Sequence, residues 1–127
     1  VKIGIVGSRN YPDMDVVRRF VQGLPQGSTV ITGGARGVDT VAEEEARKRG
    51  LKVIVYRPDF SRGYSPAAYH ERNWRIAQEC GVLVAFWDGK SRGTASTIRF
   101  ARKYRKKVVV VTPAGLPAEL DVLAKDL

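Results

Sequence analysis

The stretch Ser28 to Tyr56, "STVITGGARGVDTVAEEEARKRGLKVIVY", decides the fold. It opens on an apolar, β-branched run (28–32) and passes two adjacent glycines. A charged segment follows in which Val38, Val41, Ala42 and Ala46 recur at helical spacing, and a second apolar run (52–56) closes it. Short apolar runs without polar alternation read as strands buried on both faces, the state of parallel strands covered by helices. Strand, helix and strand in that order form one crossover unit with its two strands parallel.

Working outward, the same alternation covers the chain. "KIGIV" (2–6), "VLVAF" (82–86) and "KVVVV" (107–111) are further strands. Helical patterns separate the runs, carried by Val16, Val17, Phe20, Val21 and Leu24, by Tyr69, Asn73, Ile76, Ala77 and Cys80, and by Ile98, Ala101 and Tyr104. The expected fold is an α/β, Rossmann-like three-layer sandwich: a mostly parallel sheet of about five strands with helices on both faces. The 127 residues fit a single domain over 1–127. In the tail, Leu116, Leu120, Leu123 and Leu127 are spaced for a terminal helix over 116–127. Its apolar stripe closes the domain's own core or meets a second subunit, and a homodimer or higher oligomer is the expected assembly.

With 22 Lys+Arg against 13 Asp+Glu, the chain carries a formal charge of +9, which favours phosphates, nucleotides or nucleic acid as partners. One cysteine, Cys80, excludes an internal disulfide, and one histidine, His70, leaves no Cys/His zinc cluster to assemble. Neither a metal nor a cofactor is expected. The chain opens directly in a strand pattern, and its longest apolar run, Val82 to Trp87, is too short to span a bilayer. A cytoplasmic protein with no membrane partner is expected. Cys80 reads as a small buried hydrophobe, and His70 as a surface or helix-packing residue.

In a parallel sheet the loops that leave the strands share one edge. Here they read "GSRNYPD", "GGARGVD", "RPDFSRGYSP" and "WDGKSRGT", whereas the loops entering strands are short and ordinary. Ligands of open α/β sheets bind at the edge where the strands end, where strand order reverses. Gly33, Gly34 and Gly37 suit a tight backbone turn that presents N–H groups to an anion, with the helix from about Val38 adding its positive end. Arg36 adds a fork of donors. The alternative is a plain turn capped by Asp39 or Thr40, with Thr40 and Glu43 spaced as a capping box. After the fourth strand the design repeats in Asp88, Ser91, Gly93 and Thr94, and Gly7, Ser8 and Arg9 follow the first. Neither the Walker P-loop nor the dinucleotide fingerprint is matched. Tyr11, Phe60, Tyr64, Trp74 and Trp87 lie in or near these loops and could stack a base, Trp74 being the one expected in the core.

"GSR" (7–9), "GGARGVD" (33–39), "ERN" (71–73) and "DGKSRGT" (88–94), in this order, resemble the SLOG superfamily, closest to its small YpsA-related and DprA/Smf-like branches. The resemblance covers about residues 2–112 and reaches, more distantly, the lysine-decarboxylase-like phosphoribohydrolases. It implies a Rossmann-like sheet whose Gly-rich loops hold the phosphate of a nucleotide or nucleic acid. By position it implies a ligand site of Gly7, Ser8, Arg9, Gly33, Gly34, Arg36, Asp39, Arg72, Asn73, Gly93 and Thr94. The cytokinin-activating members carry G-G-x-G-T-x-x-E, and Thr97 stands where their glutamate would be, so the obvious agent for glycosidic cleavage is missing, with Asp39, Asp59 or Asp88 as the only nearby substitutes. The expected function is binding of a phosphorylated nucleotide or nucleotide-derived ligand, for sensing or delivery. The alternatives are DprA-like binding of single-stranded nucleic acid and nucleoside-monophosphate hydrolysis. A basic run of Arg99, Arg102, Lys103, Arg105, Lys106 and Lys107 reads as a solvated helix end complementing its dipole, or as a contact to nucleic-acid backbone.

Overall fold

The computed structural model describes the backbone of residues 1–113 and 117–127, and the side chains of 1–113 and 122–127. The elements run β1 (Lys2–Gly7), α1 (Met14–Gln22), β2 (Thr29–Thr32), α2 (Val38–Lys48), β3 (Lys52–Val55), α3 (Pro66–Glu79), β4 (Val82–Phe86), α4 (Arg92–Lys103), β5 (Lys107–Val111) and α5 (Pro117–Asp126). All pairings are parallel, in the order β3-β2-β1-β4-β5. The order reverses between β1 and β4, whose register runs from Ile3 opposite Val82 to Gly7 opposite Phe86. That reversal opens a crevice at the C-terminal ends of these two strands.

Alternate residues of each strand feed two cores. Ile3, Ile5, Val30, Val82, Val84 and Phe86 face α1, α2 and α5. Val6, Ile31, Leu83 and Ala85 face α3 and α4, meeting Ile76, Ala77, Cys80, Ile98 and Ala101. Central β4 is buried along its whole length, as a strand covered on both faces must be. Within the first core Phe86 meets Tyr11 and Phe20 edge-on at 5.7 and 5.8 Å.

The helices start where the sequence supplies caps. The Asp13 carboxylate accepts from the Val16 amide at 3.2 Å, Ser65 caps Ala67 ahead of Pro66, and Ser91 caps Thr94. In the tail, Ala124 is fully buried, and Leu123 and Leu127 pack on the first core. Leu116 and the Leu120 side chain lie outside the described residues.

Two expectations about aromatic residues are corrected. Trp74 is 41% exposed rather than in the core, its indole N–H donating to the Tyr104 hydroxyl at 2.8 Å. The buried stripe of α3 runs through Asn73, Ile76 and Ala77, and one residue past Asn73 turns about 100° away from it. Tyr11, expected near a ligand, is 4% exposed, and its hydroxyl donates toward the Val111 and Thr112 carbonyls at the end of β5.

Candidate functional site

A cleft of about 460 Å3 opens at the β1/β4 reversal. It is lined by the loops after β1, β2 and β4 and by one face of α3. Of the residues singled out in the sequence, Gly7, Ser8, Arg9, Asp39, Arg72, Asn73, Asp88, Ser91, Gly93 and Thr94 line it together. Gly33, Gly34, Arg36 and Gly37 do not, and Arg36 is exposed.

The glycine-rich turn after β2 is built, but its amides already hold an anion. Asp39, 4% exposed in the first turn of α2, accepts from the Gly33 amide at 3.0 Å and from the Ala35 amide at 3.4 Å. The nest is therefore filled by the chain's own carboxylate. Burial raises the Asp39 pKa from 3.8 to about 6, against the opposing pull of Arg72 and of the Ala35, Gly33 and Gly7 amides. The capping box of the alternative reading does not form. Gly37 is the N-cap with no side-chain bond, and the Thr40 hydroxyl donates to the Ala35 carbonyl at 2.7 Å.

The loops are joined to one another around the cleft. Gly37 adopts φ +85°, and a Cβ there would lie 2.5 Å from the Arg9 carbonyl oxygen, so only glycine lets the β1 and β2 loops touch. The Ser8 amide donates to Phe86 O at 3.0 Å, and its buried hydroxyl accepts from the Asp88 amide at 3.1 Å. Asp88 accepts in turn from the Lys90 and Ser91 amides at 2.8 and 2.9 Å, bonds that hold its carboxyl below the usual range. Asp88 thus shapes the loop that leads into α4.

From α3, Arg72 donates through Nη1 to the Gly33 carbonyl at 2.5 Å and through Nε to Asn73 Oδ1 at 2.9 Å. Asn73 donates through Nδ2 to the Gly93 carbonyl at 3.4 Å. Buried Asn73 is therefore a bridge between the guanidinium and the first turn of α4. Those bonds use two of the five donors of Arg72. Burial draws its pKa down, opposed by Asp39 and Tyr69 and reinforced by the repulsion of nearby Arg9. Both guanidinium-bearing residues, Arg9 and Arg72, line the same cleft.

The N-terminus of α4 completes the wall. Ser91 takes the Thr94 amide, while the amides of Arg92 and Gly93 have no intrahelical partner by helix geometry. The first turn of α4 carries no acidic residue. A Cβ added at Gly93 would meet nothing within 4 Å, so the space in front of this turn is open. Thr97 lines the cleft with its hydroxyl donating to Gly93 O at 3.1 Å, a hydroxyl where glycosidic chemistry would need a carboxylate. Lys90 and Tyr69 also line it, and neither was among the expected site residues. Their signals were weak: Lys90 lies inside "DGKSRGT", and Tyr69 sits one helical turn before Arg72.

The basic run lies along α4 and beyond its end, away from the cleft. Arg99, Arg102, Lys103 and Arg105 are exposed, while Lys106 donates through Nζ to the Gln78 carbonyl at the end of α3 at 3.1 Å. His70 is exposed with Nδ1 3.4 Å from the Ser96 hydroxyl, and Cys80 is fully buried. Among the described residues no His/Cys/Asp/Glu cluster is placed to hold a metal, and no helix is long and apolar enough to cross a membrane.

The family model for DNA recombination-mediator protein A matches residues 1–86. Among solved structures, DNA processing protein A from Streptococcus pneumoniae superposes with a TM-score of 0.75 at 21% identity, over 86% of this chain and 49% of that one. DNA processing protein A from Helicobacter pylori, whose structure describes a single-stranded DNA binding mode, gives 0.70 at 20% identity, over 99% of this chain and 81% of that one. A structural-genomics target, TM1055, gives 0.65 at 22% identity over 84% and 71%. At these identities the likeness is one of fold. The chain spans about half the length of the Streptococcus protein. No curated protein matches it.

Proposed function

This chain belongs to the DNA recombination-mediator protein A family, and from that premise we propose that it binds single-stranded nucleic acid, with a backbone phosphate seated in the cleft at the β1/β4 reversal. The observation that carries the reading is that Arg9, Arg72 and Lys90 line one cleft together with the open first turn of α4. Arg9, Arg72 and Lys90 supply positive charge, and the amides of Arg92 and Gly93 supply oriented donors, the combination that favours a phosphate. The two carboxylates at the cleft are already engaged by backbone amides. The single-stranded DNA binding mode of the Helicobacter relative supports the same reading.

The test is fluorescence anisotropy of a labelled oligothymidylate titrated with protein at several salt concentrations. Affinity falls with salt at a slope of about −0.7 per phosphate neutralised. Arg9→Ala, which removes no hydrogen bond that holds the loops together, weakens binding and flattens the slope by about one such unit. No anisotropy change at low salt, or a complex insensitive to salt, sinks the reading.

A second reading is favoured by the size of the cleft: about 460 Å3 falls within the range of sites for small ligands. On it the guest is a free nucleotide or nucleotide-derived molecule, held by the same groups for sensing or delivery. Calorimetry with a panel of mononucleotides, cyclic nucleotides and ADP-ribose derivatives separates the two. A nucleotide that binds and displaces the oligonucleotide places the small molecule first. Self-association belongs to the same proposal, because two tethered clefts raise effective concentration along one strand; sedimentation with and without oligonucleotide measures it.

A further inference from the structure

The loop between β3 and α3 carries a feature for which neither core packing nor the cleft accounts. Phe60 and Tyr64 stack with their ring centres 5.7 Å apart at 26°, and Tyr69 meets the two edge-on at 5.4 and 6.1 Å. Tyr64 is 77% exposed and Phe60 41%. Single exposed rings are ordinary surface. Three in mutual contact at the lip of a cationic cleft form an apolar cluster whose outermost ring, Tyr64, is open to solvent, with charge beside it.

The rings are held in place by their own loop. The Asp59 carboxylate accepts from the Ser61 amide at 2.9 Å, the Gly63 amide donates to the Phe60 carbonyl at 2.9 Å, and Ser65 caps α3. Little ordering remains to be done when a ligand arrives. The cluster is also continuous with the cleft: Tyr69 lines it, and the Arg72 guanidinium carbon lies 5.8 Å from the centre of the Tyr69 ring. Two ring contacts lead from the guanidinium to the outermost ring.

We propose that Tyr64 and Phe60 form a stacking platform for a nucleobase of the single strand whose phosphate occupies the cleft. The proposal rests on the reading of the cleft given above. Every base offers a π-face, so such a platform accepts any sequence and adds affinity by stacking. Arg72 lies against Tyr69, and Arg62 is carried exposed on the same loop as Phe60 and Tyr64, a source of the charge that a neighbouring phosphate needs.

The experiment compares two labelled strands of equal length, an oligothymidylate and an abasic deoxyribose-phosphate chain, each titrated with wild-type protein and with Tyr64→Ala, Phe60→Ala, Tyr64→Phe and Arg9→Ala. Circular dichroism checks that each variant is folded. Tyr64→Ala and Phe60→Ala are expected to weaken the oligothymidylate complex by about fivefold to a hundredfold and to leave the abasic complex unchanged. Tyr64→Phe keeps the affinity. An unchanged oligothymidylate complex in both alanine variants, or equal losses on the two strands, overturns the platform. The cleft reading then stands on its own if Arg9→Ala still weakens abasic binding. Wild-type protein that binds neither strand overturns both.

Discussion

Asp39 is a carboxylate buried where the spacing of glycines points to an external anion, and its protonation is therefore linked to folding. Its pKa is about 6 in the folded chain against an ordinary 3.8. The folded chain holds the extra proton between these values, so the stability associated with this group is complete below about pH 4 and is lost as the pH rises through 6. A shift of this size corresponds to about 3 kcal/mol. Asp39→Asn keeps an oxygen for the Gly33 and Ala35 amides and cannot titrate. Its cost in leaving Arg72 without a counter-charge does not vary over this range, because the guanidinium stays charged. Urea unfolding of both proteins from pH 3.5 to 7.5 is expected to show the wild type losing about 2–3 kcal/mol relative to the variant as the pH rises; parallel curves would show that Asp39 is not held in this way. The carboxylate's inward turn was illegible in the sequence, because G-G-A-R-G-V-D reads equally as a cradle, a cap or a plain turn. What decides is the placement of Arg72, thirty-odd residues on, against the Gly33 carbonyl.

At the scale of elements, two glycines at the same edge answer to opposite causes. Gly37 has φ +85° and presses on the Arg9 backbone, so Gly37→Ala costs about 1–3 kcal/mol and disturbs the position of Arg9. Gly93 lies in the first turn of α4 with open space before it, so Gly93→Ala leaves stability unchanged or raises it by up to about 1 kcal/mol. If a phosphate approaches that turn, the added methyl group weakens oligonucleotide binding in a protein of full stability. Thermal melts paired with anisotropy check both: a stable Gly37→Ala, or a Gly93→Ala that melts early, contradicts the geometry. The strands were legible because runs such as "VLVAF" admit few alternatives once helical patterns flank them. The convergence of loops on one edge followed from parallel strands alone. Side-chain destinations were less legible. Trp74 lies off the stripe that its neighbours define, and the Tyr11 hydroxyl is held by carbonyls at the end of β5, a strand a hundred residues away in sequence. Asn73 looked like a ligand donor and is a bridge, a role visible only once α4 is packed against α3.

Across the whole molecule, positive charge lies at both ends of the sheet, and the cleft of about 460 Å3 opens at one of them. Helix α4 links them: its N-terminus lines the cleft, and its last turn carries Arg102 and Lys103, with Arg105 just beyond. Twelve residues at 1.5 Å each put about 18 Å between those ends. At 0.15 M salt the screening length is about 8 Å, so the far charges add little to an ion held in the cleft. They sit at the negative end of the α4 dipole, where cations are stabilising without any ligand. Lys106 shows the structural use most directly, since its ammonium group donates to the Gln78 carbonyl at the C-terminal end of α3. The combined variant Arg102→Gln, Lys103→Gln and Arg105→Gln is therefore expected to bind a short oligothymidylate with wild-type affinity and salt slope at 0.15 M. Arg9→Ala, which removes one charge at the cleft, flattens that slope by about 0.7. A loss in the triple variant equal to or greater than that of Arg9→Ala would move the binding surface to the far end of α4 and empty the cleft of its proposed role.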